Sequence, residues 1–251
     1  MASQPPPPSD LRRPHRFITD HAADGKAVFN TSLDSEIPQQ TVGGGAKFYL
    51  GYTTEQTPAS FAANADVSAY AARLADPPGI VIPGGSVMRI VDMAPGSLSP
   101  MHRTVSLDYG VVLEGEIDLV LDSGETRRMR RGDVSVQRGT MHAWKNVSET
   151  AWARMLYVLQ ESRPLEVGGS VLGEDYGEGM GDVKPSGSNA NAVRCAAELL
   201  TCPSRILLSP DGLLARPLVQ PTIAASTSDQ LPFVHDSLAT STDYCSYSTA
   251  C

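Results

Sequence analysis

The chain has 251 residues, room for one domain with extensions, and its formal net charge of -8 argues against a nucleic-acid binder, which works by neutralising phosphates with Lys and Arg. Hydrophobic residues make up 41%, while 22 Gly and 19 Pro point to a turn-rich, β-rich architecture with irregular ends. No apolar run reaches the roughly 18 residues of a membrane helix and no apolar signal core follows the N-terminus, so a cytoplasmic protein bound to neither membrane nor nucleic acid is expected.

Residues 1–15 carry the run Pro5–Pro8 and read as a disordered leader, because proline has no N–H to donate and a fixed φ. Residues 16–80 supply short β-like pieces, Lys26–Phe29 and Ala46–Gly51, around Gly43-Gly44-Gly45. Val67, Tyr70 and Leu74 then recur at helical spacing, which predicts a short helix within 58–76, ended by Asp76-Pro77-Pro78. This N-terminal region is expected to pack on a barrel formed by residues 81–176. Strands are predicted at Ser86–Met93, Asp108–Leu113, Glu116–Leu121, Thr126–Met129, Asp133–Gln137, His142–Asn146 and Ala153–Leu159. Gly and Asp turns separate them and no helix intervenes, the pattern of an antiparallel barrel or jelly roll. Residues 177–251, rich in Ser, Thr, Ala and Pro, read as a flexible tail with a helical turn or two at 190–200. All four cysteines, Cys195, Cys202, Cys245 and Cys251, fall in that tail, which leaves the predicted barrel without a thiolate ligand or nucleophile.

Two histidines organise the barrel segment. Alternate side chains of a strand share a face, so His102, Thr104, Ser106 and Asp108 form a polar row where a filled barrel would place Val or Leu. His142 lies on a second predicted strand, with Trp144 on its face by parity. Arg89 shares a barrel strand and suits a planar substrate oxyanion; Thr104 and Trp144 complete the expected substrate contacts.

These stretches resemble the motifs of the cupin family. Gly96 is followed by five residues, then His102-Arg103-Thr104, Asp108 and Gly115, which match the family's first motif. Gly132, Gln137-Arg138-Gly139, His142 and Asn146 match the second. The resemblance spans residues 80–165 and is to small single-domain cupins of the conserved-barrel type, found in bacterial and fungal secondary-metabolite clusters. It implies an all-β jelly-roll barrel with N-terminal arm strands, a short helix and the flexible tail. Thr104 stands where the family has its second histidine, Asp108 replaces a glutamate and Gln137 a proline.

From the resemblance, the expected function is an oxidoreductase of secondary-metabolite, polyketide-like biosynthesis acting on a small oxygenated hydrophobic substrate. A divalent transition metal, Fe, Mn, Ni or Zn, would sit on His102, Asp108 and His142, a two-histidine, one-carboxylate set. Two alternatives stay open. In one, His102, Asp108 and His142 are catalytic without metal, as the acid and base of a dehydratase, decarboxylase, isomerase or cyclase. In the other, the barrel binds a small molecule without turnover. A homodimer joined at sheet edges is a further expectation.

Overall fold

The computed structural model describes residues 6–187, and strands dominate them. An N-terminal hairpin of β1 (Ile18–His21) and β2 (Ala27–Asn30) precedes β3 (Gln39–Val42) and β4 (Ala46–Thr54). Helix α1 (Ala65–Ala75) follows, then β5 (Ser86–Met93), β6 (Ser106–Glu114), β7 (Glu116–Leu121), β8 (Thr126–Arg130), β9 (Val134–Arg138), β10 (His142–Asn146) and β11 (Ala153–Glu161). A last small hairpin joins β12 (Leu165–Val167) to β13 (Ser170–Leu172).

Six strands form one antiparallel sheet in the order β3-β4-β5-β11-β6-β9, and three form a second in the order β10-β7-β8. The chain is therefore the expected all-β jelly roll with one short helix. Strand alternation sets the core. In β5 the inward row is Val87, Arg89, Val91 and Met93; in β6 it is Ser106, Asp108, Gly110 and Val112. Val91, Met93, Val112, Ile117, Met129, Trp144, Ala153 and Met155 pack as one apolar cluster drawn from both sheets. The chain passes from β6 to β7 through Gly115 at φ 79°, where an added Cβ would lie 3.0 Å from the Ala153 methyl group; glycine alone satisfies both constraints.

The helix lies within its predicted range and uses the predicted face. Val67 and Tyr70 are buried, and the Tyr70 hydroxyl donates to the Leu50 carbonyl oxygen at 2.7 Å, which ties α1 to β4. No helix among the described residues is long and apolar enough to cross a membrane.

Both predicted boundaries shift. The leader expected to be disordered runs against the barrel from Pro6 onward. Trp152 Nε1 donates to the Pro7 carbonyl oxygen at 3.1 Å, Arg154 Nη1 donates to that of Arg12 at 2.8 Å, and the Ile37 amide donates to that of Pro14 at 3.0 Å. Proline keeps its carbonyl as an acceptor, so a Pro-rich segment can be fixed by donors that reach it from the barrel. Nor does the packed chain end at residue 176. Met180 is buried with Tyr70, Ile80, Val87 and Leu159, and Lys184 pairs with Asp76. The predicted helical turn at 190–200 and the four cysteines lie outside the described residues.

Candidate active site

The two histidines meet through their backbones. His102, just before β6, and His142, at the start of β10, form an antiparallel bridge in which each amide donates to the other's carbonyl oxygen at 2.9 Å. Their rings stand with centroids 4.4 Å apart, and Trp144 packs edge-on against His142 at 5.3 Å. Nδ1 of His102 lies 2.9 Å from the Pro100 carbonyl oxygen and Nδ1 of His142 lies 2.9 Å from that of Thr140. A carbonyl only accepts, so each Nδ1 carries the proton and each Nε2 presents a lone pair. Burial lowers the pKa of His102; burial first, then the neighbouring His102, takes His142 down to about 4. Both imidazoles are neutral near pH 7.

Asp108 lies in the β6 row where parity placed it, paired in register with Leu159 of β11 and Gln137 of β9. Ser106 donates to the Thr104 hydroxyl at 2.7 Å, and Thr104 donates to Asp108 Oδ2 at 3.2 Å. Oδ1 of Asp108 is buried without a hydrogen-bond partner. Burial pushes the carboxyl up to about 6 against the opposing pull of the Ser106 and Thr104 hydroxyls.

Arg89, Thr104, Asp108, Trp144 and both histidines line one cavity of about 300 Å³. Phe48, Val91, Met93 and Leu98 supply apolar wall, and Gln137 reaches the cavity from β9, where its amide accepts from the Thr140 hydroxyl at 2.5 Å. Tyr157 and Met180 are among the lining residues that sequence reasoning missed. Tyr157, on β11, faces the cavity opposite Gly110, whose lack of a side chain leaves room for the ring; a Cβ there would lie 3.2 Å from it. The signal was present as a single tyrosine spaced two residues from Leu159 on one strand face. Burial, then Asp108, raises the Tyr157 hydroxyl well above its usual pKa. Met180 comes from the segment read as tail, and nothing in its local pattern announces it. Arg103 serves elsewhere, since its Nε donates to the Gly173 carbonyl oxygen at 2.7 Å and its backbone pairs with Asp175.

The cupin domain model matches residues 89–159, the strands that carry this cavity. Over 179 residues the chain is 55% identical to the phomopsin biosynthesis cluster protein D of Diaporthe leptostromiformis, covering 71% of this chain and 95% of that one. It is 40% identical over 188 residues to the cupin-domain-containing oxidoreductase srdB of Neurospora crassa, covering 71% of this chain and 94% of that one. The chain belongs to the cupin family. A third relative of this cupin, 45% identical over 172 residues, is the oryzines biosynthesis cluster protein J of Aspergillus oryzae, covering 68% of this chain and 96% of the relative.

Cupin domains often bind metals, and the donor set of this cupin can be tested against that. No group of three or more His, Cys, Asp and Glu side chains among the described residues is placed to hold an ion. Two imidazoles with free Nε2 atoms are present, but Thr104 stands at the third imidazole position, and a threonine hydroxyl is a poor ligand. Asp108 is one methylene shorter than glutamate and is engaged by Thr104. The expected metal set of His102, Asp108 and His142 is therefore not assembled as a three-donor centre. What the cavity offers instead is a group of proton acceptors in apolar surroundings.

Proposed function

We propose that this cupin is an enzyme of small-molecule secondary metabolism that moves a proton on an oxygenated, largely apolar substrate held in the 300 Å³ cavity. One observation carries the reading. The unpartnered Oδ1 of Asp108 and the Nε2 atoms of His102 and His142, which no hydrogen bond occupies, belong to side chains lining one cavity. Asp108 Oδ1 is a buried acceptor without a donor, which is costly, and a ligand bearing hydroxyl or acidic C–H groups supplies what it lacks.

Each group has a distinct role in this reading. Asp108, with its pKa raised to about 6, is the base; it takes the substrate proton and returns it at the neighbouring position. The neutral imidazoles accept hydrogen bonds from substrate hydroxyls and fix the reacting face. Trp144 holds the His142 ring and, with Phe48, covers the apolar body of the substrate. A dehydration, isomerisation or cyclisation needs no more than this proton traffic. A second reading, an oxidoreductase, is favoured by the names of several relatives, the Neurospora crassa protein among them.

The test uses a metabolite extract from a strain of the source organism that lacks the gene. The full-length protein should convert an accumulated compound in the presence of a chelator and without oxygen, with deuterium incorporated from D₂O. Asp108→Asn and His142→Ala should each slow this about 100-fold or more while the circular dichroism spectrum is kept. Conversion that stops with chelator or without oxygen supports the oxidoreductase reading instead. Absence of any conversion refutes both.

A further inference from the structure

Arg89 is 5% exposed and lines the cavity, yet it has no anionic partner. Among the described residues no carboxylate oxygen lies within the 4.0 Å of an ion pair. Its contacts are neutral ones. Nη2 donates to the Gly79 carbonyl oxygen at 3.0 Å, and the guanidinium carbon stands 5.2 Å from the centre of the Phe48 ring. The other buried strand arginine makes the contrast. Arg154 grips Asp92 through Nε at 2.5 Å and Nη2 at 2.8 Å, a two-pronged pair that compensates its charge.

A guanidinium keeps its proton inside a protein, so burial cannot neutralise Arg89. Even with its pKa pushed down to about 10 by burial, it remains a cation at neutral pH. A lone buried charge is expensive, and one facing a cavity can be compensated by whatever enters that cavity. Only one of its five N–H donors is committed in the structure, which leaves a fork open for two oxygens. The single charge favours a monoanion, since a phosphate dianion would bring a second negative charge into apolar walls without a partner.

We propose that Arg89 anchors a carboxylate, and that the cavity therefore takes a small organic acid with an apolar body. Strand register places the two ends of such a ligand. Arg89 pairs with Tyr157 and Tyr157 with Gly110, whereas Asp108 pairs with Leu159. Arg89 and Asp108 thus lie two strands and two residues apart, on the order of 12 Å between backbones along the sheet. The acid group sits on Arg89, and the part that reacts lies toward Asp108 and the histidines. This assignment rests on the reading of the cavity as the substrate site.

Calorimetric titration of the full-length protein with butanoate, hexanoate, octanoate and decanoate, each against its neutral primary amide, tests it. At least one acid should bind about tenfold or more tightly than its amide. Arg89→Met should erase that preference by weakening the acid and leaving the amide unchanged, and Arg89→Lys, which keeps the charge but not the fork, should retain part of it. If no acid of the series outbinds its amide, the proposal falls on the wild-type protein alone. An Arg89→Met protein that folds and still prefers the acid refutes it equally. Acid binding through Arg89 in a protein that transfers no proton would leave the anchor standing and remove only the catalytic reading.

Discussion

Asp108→Asn should stabilise this cupin, and only at neutral and alkaline pH. The carboxyl is 4% exposed, and its pKa is raised from 3.8 to about 6, chiefly by burial. The native state therefore holds this proton more tightly than the unfolded chain between pH 3.8 and 6. Stability linked to the group is intact below pH 3.8, declines across that window and is fully lost above pH 6. Each factor of ten in proton affinity is worth about 1.4 kcal/mol, so the loss amounts to about 3 kcal/mol. Asparagine keeps an oxygen to accept from Thr104 and carries no charge at any pH. The variant should match the wild type near pH 4 and exceed it by about 3 kcal/mol at pH 7.5. For a chain of this size that is a rise of roughly 6–12 °C in the melting temperature. Paired urea melts at half-unit pH steps measure the gap directly, and subtraction cancels every other titrating group. A gap that stays constant with pH, or an asparagine variant less stable at pH 7.5, would refute the claim that Asp108 is a buried and poorly compensated carboxylate. Gain in stability with loss of activity is what a functional carboxylate predicts.

The other predictions concern the frame that holds the cavity. His142 carries the opposite linkage: with its pKa lowered from 6.5 to about 4, it stabilises fully above pH 6.5 and loses about 3 kcal/mol as pH falls to 4, so His142→Ala should flatten the acid limb of the wild-type stability curve. Asn146→Ala should cost about 3 kcal/mol in chemical denaturation, because its fully buried amide donates to Met93, Ala94 and Ala151 carbonyls and Oδ1 accepts from the Ser148 amide. Arg154→Met should lose about 3–5 kcal/mol by stranding Asp92, while Arg154→Met with Asp92→Leu should recover most of it. Met180→Ala should cost about 2–3 kcal/mol, and a chain cut after Gly177 at least as much; a truncated chain with unchanged melting temperature would return this segment to the status of a tail.

What could be read from the sequence followed the period of two. Strand parity accounts for Ser106 and Asp108 on β6; His102 and Thr104 lie in the irregular stretch before it and are buried too, as is Val105 between Thr104 and Ser106. Val67 and Tyr70 needed only the helical repeat. Residues 6–15 of the leader and 177–187 of the tail depart from the reading for one physical reason: composition reports what a segment can do alone, and these stretches meet donors and apolar surface on the barrel. Pro7 is an acceptor for Trp152, 145 residues away, and no local pattern encodes a partner at that distance. Tyr157 was hidden differently, since its access to the cavity depends on Gly110 of the neighbouring strand.

Arg89 shows how the fold alters the meaning of a motif. On its strand it alternates with Val87 and Val91 on the inward face, a position that in an ordinary core would be apolar. A sheet that buries a cation there must either pair it, as it pairs Arg154 with Asp92, or leave it for a ligand. The Thr104 substitution acts in the same direction at the other end of the cavity. It puts a hydroxyl that donates to Asp108 Oδ2 where the family has an imidazole, and Oδ1 is left without a hydrogen-bond partner. One end thus presents a cation without an anion, and the other presents proton acceptors without protons. A neutral hydrocarbon would satisfy neither, whereas an acid bearing a hydroxyl or an acidic C–H satisfies both in a single orientation.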